Sequence, residues 1–179
     1  QINILSVGRI SKIKDYETLI RAASILRDKG LEFKIKIIGH PVMSYDFEYF
    51  ENLKKLVKEL KLENEVEFTG FIPYSQITDY YKELDIFINL APTGGIDKAV
   101  LEAMASGELV LVSNTAFKKY LGGYDLFFRQ SAPENLAERI VELSNLSAKG
   151  AGDISSFMAE SVKKNHNLKN TIDKISIYY

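Results

Sequence analysis

Along this chain, short runs rich in β-branched and aromatic residues alternate with longer segments whose apolar residues recur every three or four positions. That alternation predicts parallel strands joined by crossover helices. The runs INILSV, FKIKIIG, EVEFTG, DIFINL, LVLVSN and DLFF read as six strands. Between the first two, DYETLIRAASILRDKG carries Tyr16, Leu19, Ile20, Ala23 and Leu26 on one helical stripe and stops at Gly30. Further helices are expected around Phe50 to Leu60, over SQITDYYKEL, KAVLEAMASG and PENLAERIVELSNL, with Pro133 in the first turn of the last, and as a short piece from Phe117 to Leu121. The expected fold is therefore α/β, a doubly wound, Rossmann-like parallel six-stranded sheet. In such sheets ligands lie outside the carboxyl ends of the strands, where the strand order reverses, so the loops after strands carry the chemistry. Residues 1–147 form this domain. After Ser147 the chain changes character: SAKGAGD is small and flexible, and residues 148–179 read as a tail of one or two helices.

Composition narrows the chemistry. With 46% hydrophobic and 26% charged residues the chain is an ordinary globular one. Its 23 basic and 24 acidic residues leave a net charge of −1, which gives no general attraction to nucleic acid, so an anion site has to be local. The absence of cysteine removes thiolate chemistry, and two distant histidines, His40 and His166, are a poor start for a metal centre; no metal is expected. No apolar run approaches the ~20 residues of a spanning helix. The start at Gln1, almost at once in an apolar run, suggests a fragment or a processed chain.

Two loops stand out. GRISKIK, Gly8 to Lys14, sets Arg9, Lys12 and Lys14 at the end of the first strand, where they suit a phosphate or pyrophosphate. A solvated basic turn is the alternative, and one glycine is too few for the dinucleotide fingerprint. In TGGIDKAVLEAMASG, Gly94 and Gly95 open the backbone to a ligand just before a helix whose first N–H groups and dipole favour an anion. A tight turn that needs glycine would look the same. Glu102 lies among small residues in that helix, a costly place for a carboxylate unless it is paired or accepts hydroxyl donors, either from a ribose or from a neighbouring side chain. Gly39-His40-Pro41 and Thr69 to Pro73 end the second and third strands, and Phe71 or Tyr74 could flank a flat base or simply pack their loop.

Taken together, VGRISKIKDYETLIRAASIL, IKIIG, VEFTGFIPYSQITDYYKELDIFI, VLEAMASGELVLVSN and PENLAERIVEL resemble, in order and spacing, the C-terminal, donor-binding half of group 1 family retaining glycosyltransferases of the GT-B fold. The resemblance implies transfer of a sugar from a nucleotide diphosphate sugar, such as a UDP- or GDP-sugar, with no metal or other cofactor. Arg9 and Lys14 then correspond to the cations that hold the donor pyrophosphate, and Glu102 to the second glutamate of the family's Glu–seven residues–Glu motif, on the ribose. The backbone around Gly39, Gly94, Gly95, Ile96 and Asp97 would face sugar or phosphates, with Phe71 and Ile72 near the base. The first motif glutamate is replaced by Gly94, which puts the sugar contact in question. Asp97 or Lys98 could take it over, although Asp97 also reads as a helix N-cap.

The resemblance further implies an N-terminal domain that binds a glycan or lipid-linked acceptor and receives the tail, residues 148–179 with the apolar KISIYY. Dependence on cytoplasmic nucleotide sugars implies a cytoplasmic place, or the inner face of the membrane for the full-length protein. A noncatalytic nucleotide-sugar binding or regulatory module is the alternative that Gly94 keeps open. A receiver-like domain is disfavoured, because Gly8-Arg9 stands where that class needs acids for magnesium.

Overall fold

The computed structural model describes residues 1–92 and 95–165, with the backbone alone for Tyr74. Five parallel strands, β1 (Ile2–Val7), β2 (Phe33–Ile38), β3 (Val66–Gly70), β4 (Ile86–Asn89) and β5 (Leu109–Val112), form one sheet in the order β3-β2-β1-β4-β5. The helices are α1 (Tyr16–Asp28), α2 (Ser44–Glu59), α3 (Tyr74–Tyr81), α4 (Lys98–Ala105), α5 (Pro133–Ser144) and α6 (Ala148–Asn165), with short 3-10 turns over Lys12–Lys14 and Thr115–Tyr120. α1 packs against α2 and α5, and α4 against α6, so the sheet lies between two helical layers. Strands covered on both faces need continuous apolar runs, which is why IFIN and LVLV are buried along their whole length. The predicted stripe of α1, Tyr16, Leu19, Ile20, Ala23 and Leu26, is buried. Each fully buried aliphatic side chain of that kind contributes ~1.5–3 kcal/mol.

The sixth strand is not formed. Phe127 makes a single parallel bridge to Val112, with hydrogen bonds from Val112 N to Leu126 O and from Phe128 N to Val112 O. The reason lies in β5: after Val112 the chain turns away, because the Asn114 side chain caps the 3-10 turn by accepting from Ala116 N at 2.9 Å. DLFF finds no further ladder beside it. The small-residue run after Ser147, expected to be flexible, forms the first part of α6, in the stretch read as a helical tail. Ser147 Oγ accepts from Gly150 N at 3.1 Å, and Ile154, Met158 and Val162 are buried, so packing outweighs the helix-weakening effect of Gly150 and Gly152. The expectations for KISIYY and for Gly94 fall on residues outside those described.

The carboxyl ends of the first three strands are tied directly together. Gly8 N donates to Ile38 O at 2.9 Å, Ile10 N to His40 O at 3.1 Å, and Gly39 N to Gly70 O at 2.9 Å. Gly39 has φ +148°, and a Cβ there would stand 1.9 Å from the Gly8 carbonyl oxygen. No side chain fits. At the opposite edge, burial and then the charge of Asp85 push the Glu108 carboxyl up to about 7.

Two expected outcomes test these features. Gly39→Ala adds backbone strain and overpacking and is expected to cost about 2–5 kcal/mol, read as a lower denaturation midpoint. For Glu108, a folded pKa above the unfolded 4.5 means the folded state binds the extra proton. Its contribution is therefore intact at pH 4.5, is lost as pH rises through 7, and stays lost above. Glu108→Gln should match the wild-type melting temperature near pH 4.5 and exceed it above pH 7; an equal difference at both values would refute this.

Candidate functional site

The strand order reverses between β1 and β4, which run side by side, with β2 and β3 on one flank and β5 on the other. The residues after β1 and β4 therefore border the crevice where an α/β sheet accepts a ligand. From β1 comes the basic turn. Tyr16, fully buried at the start of α1, donates its hydroxyl to the Gly8 carbonyl at 3.1 Å, and burial pushes the phenol above its ordinary range, keeping it a donor. The lysine stem crosses the same glycine, since a Cβ on Gly8 would meet Lys14 Cε at 3.3 Å. Asp15, the next residue, adopts a left-handed conformation at the N-cap of α1. Its carboxylate accepts Thr18 Oγ1 and Ser131 Oγ, each at 2.9 Å, and these bonds hold the turn.

From β4 comes the other wall. Asn89, the last strand residue, is buried, and its Nδ2 donates to Asp97 Oδ2 at 2.9 Å. Asp97 is the N-cap of α4, with Oδ1 accepting from Ala99 N at 3.3 Å. Lys14 Nζ reaches the same carboxylate at 2.6 Å, although 83 residues separate them in sequence. Thus the basic turn and the helix start, read as separate loops in the sequence, meet at the switch point. A ligand anion there faces an ammonium group and the N-terminal dipole of α4 together.

The other expected site residues are placed as follows. Arg9 is half-exposed and pairs at 3.9 Å with Asp46, a buried acid that also caps α2 by accepting from Met43 N. Glu102 is half-buried on α4 and accepts from Tyr81 Oη at 3.2 Å, beside a small cavity of about 190 Å³ bounded by Ile77 and Thr78 of α3. The Tyr81 hydroxyl is thus one neighbouring side-chain donor to this carboxylate. Phe71 is exposed and packs edge-on against His40, with ring centroids 5.5 Å apart, while Ile72 is half-buried. Gly95 is exposed, Ile96 is half-buried, and Asn114 Nδ2 donates to Gly95 O at 3.5 Å. Gly39 does its work inside the protein, against Gly8. Sequence reasoning missed Asn89, Asp46, Tyr81 and Asn114. Two of these carry a signal: Asn89 closes the otherwise apolar run IFIN, and Asn114 follows Ser113 directly after the apolar LVLV.

A cavity of about 800 Å³ lies to one side, between the turn and α2, and includes Lys12, Tyr45 and Tyr49 but none of Arg9, Lys14, Asp97 or Glu102. Position at the strand switch, not size, selects the candidate site.

With that geometry in hand, the comparisons with known proteins are decisive. The sequence pattern of the family described as Glycosyl transferases group 1 matches residues 1–171. The chain belongs to the group 1 glycosyl transferases. An uncharacterized glycosyltransferase of Methanocaldococcus jannaschii is 30% identical over 179 aligned positions, covering 96% of this chain and 43% of that protein. Among solved structures, the C-terminal domain of the group 1 glycosyl transferase LpcC of Francisella tularensis superposes with TM-score 0.80 at 24% identity, over 93% of this chain and 87% of the other. Anabaena HepE, solved in complex with UDP, superposes with TM-score 0.86 at 18% identity, over 99% of this chain and 48% of that one. The fold is that of the C-terminal domains of GT-B glycosyltransferases, here with five strands. The chain spans less than half the length of the curated relatives it matches.

The bond between Tyr16 and Gly8 gives a test of how this group 1 glycosyl transferase domain holds its turn. Tyr16→Phe removes the donor and should lower unfolding free energy by about 1 kcal/mol, read by chemical denaturation; an unchanged midpoint would show that the contact contributes nothing.

Proposed function

We propose that this chain is the donor half of a retaining, metal-independent glycosyltransferase, which binds a nucleotide diphosphate sugar and transfers the sugar to an acceptor. The observation that carries the reading is the meeting of Lys14 with the start of α4 at the strand switch. When a sugar–phosphate bond breaks, negative charge grows on the departing nucleotide diphosphate. Cations and a helix terminus fixed in place beforehand stabilise that charge without reorganising. In this reading Lys14 and Arg9 receive the pyrophosphate. Arg9 would keep Asp46 as its counter-ion or exchange it for phosphate. Membership of the group 1 family and the likeness to a protein that binds UDP support a nucleoside diphosphate as the leaving group.

The remaining roles follow the same logic. Glu102 would take the ribose hydroxyls in addition to the Tyr81 hydroxyl, since a carboxylate has about four acceptor positions. Phe71 and Ile72 would lie beside the base, and the backbone at Gly95 and Ile96 would approach the sugar. Among the described residues other than its chain neighbours, nothing lies within 4 Å of where a Cβ on Gly95 would be, which favours that approach. The acceptor is proposed to be a glycan or a lipid-linked glycan, held by residues outside these 179, with the cytoplasm or its membrane face as the place of action. No helix among the described residues is long and apolar enough to cross a membrane.

Calorimetry of this chain with UDP, GDP and ADP, in the presence of EDTA, tests the reading. One of them should bind saturably, and Lys14→Ala and Glu102→Gln should each weaken it. In the full-length enzyme Lys14→Ala or Arg9→Ala is expected to lower turnover ~100-fold or more. Binding that disappears with EDTA would overturn metal independence, and a Glu102→Gln variant of unchanged affinity would leave Glu102 as an acid satisfied by Tyr81.

A further inference from the structure

A lysine at an anion site is an uncertain tool. Its ammonium sits on a stem of four rotatable bonds, and ordering that stem costs up to ~2 kcal/mol of rotamer entropy when the ligand arrives. In this structure the cost has already been met at both ends of the side chain. The stem lies close across Gly8, where a methyl group would stand 3.3 Å from Cε and would press on it. The head is held by Asp97 Oδ2 at 2.6 Å, with both side chains about one-fifth exposed.

Asp97 is in turn fixed independently of the lysine. Asn89 Nδ2 reaches Oδ2 at 2.9 Å from the buried end of β4, and Ala99 N reaches Oδ1 at 3.3 Å. If Lys14 moved away, two donors would still hold the carboxylate where it is. The carboxylate therefore serves as a stationary post, and the lysine as the part that has to be held. One of the three ammonium hydrogens is used by Asp97; the other two have no partner among the described residues. They are available to an anion without release of the first.

We infer that Asp97 is a positioning residue: through the chain Asn89, Asp97, Lys14 it presets the ammonium for the donor pyrophosphate, rather than touching the donor sugar. This deepens the donor-site reading and rests on it. The rival reading of the same contact is competition, in which Asp97 neutralises Lys14 and must be displaced. The two differ in sign. A post makes binding tighter, and a competitor makes it weaker.

Asp97→Asn separates them while sparing the helix, because the one oxygen of asparagine can still accept from Ala99 N as the N-cap of α4, whereas the NH2 that replaces Oδ2 no longer accepts from Lys14 or Asn89. Two measurements are made on the chain and its variants. The first is the order of the Lys14 side chain, by NMR relaxation at Cε, with no nucleotide present. It should be high in the wild type and fall in Asp97→Asn; a mobile Lys14 in the wild type, or no change in the variant, overturns the inference whatever binds. The second is calorimetry with the nucleoside diphosphate that the wild type selects from UDP, GDP and ADP. Asp97→Asn should weaken it ~10-fold, the loss of one well-placed charged contact. The same substitution in a Lys14→Ala background should change affinity little, since there is then nothing to position. A purely structural role for Asp97 would lower affinity equally in both backgrounds, and competition would raise it in the first; either result overturns the inference. If the wild type shows an ordered Lys14 but binds none of the three nucleotides, the donor-site reading itself fails, and the inference about the pyrophosphate fails with it.

Discussion

The contact between Gly39 and the carbonyl of Gly8 is the constraint on which the working edge of this sheet depends. It brings the ends of β1 and β2 closer than any residue with a side chain would allow, and hydrogen bonds from Gly8, Ile10 and Gly39 fasten the first three strand ends side by side. Loops at strand ends are ordinarily the mobile part of an α/β domain. Here the basic turn is laced to its neighbours before it reaches Arg9 and Lys14, and Tyr16 and Asp15 secure it from the helix side. The rigidity needed by an electrostatic site is thus supplied by backbone bonds and one missing Cβ, not by a large apolar plug.

Charge is handled in the same economical way. Two of the turn's three cations have their own carboxylates, Lys14 with Asp97 and Arg9 with Asp46, and each of these acids also caps a helix. A single side chain thereby satisfies a helix terminus and orients a cation. The arrangement avoids a buried unpaired charge, the most expensive mistake available at such an edge.

Much of this was legible in the sequence, and the failures have physical causes. The central strands β4 and β5, covered on both faces, are buried along their whole length and could be read directly as apolar runs, while β1 and β2 were legible from β-branched runs broken by a few polar residues. DLFF has the same composition, yet pairs at one position only, because pairing depends on where the neighbouring strand stops, and Asn114 decides that from outside the run. SAKGAGD looked flexible because its glycines weaken a helix; what fixes it is the burial of Ile154, Met158 and Val162 farther along α6. Arg9, Lys14 and Glu102 were readable as candidates from their loops and from the family likeness, but their partners were not. Asp97 lies 83 residues from Lys14, and Tyr81 lies 21 from Glu102, separations at which sequence pattern carries no information about contact.

The same separation has a consequence for how the domain comes into being. A site built from the end of the first strand and the loop after the fourth cannot exist in a partly folded chain, since the intervening strands and helices must all be in place before Lys14 and Asp97 meet. Loop-closure entropy makes such distant contacts among the last to become favourable. Whatever anion occupies the crevice therefore recognises only the finished domain, and mass action turns that recognition into protection of the whole fold rather than of one loop. If that anion is the nucleotide sugar proposed above, the ligand itself would guard the chain against unfolding and proteolysis.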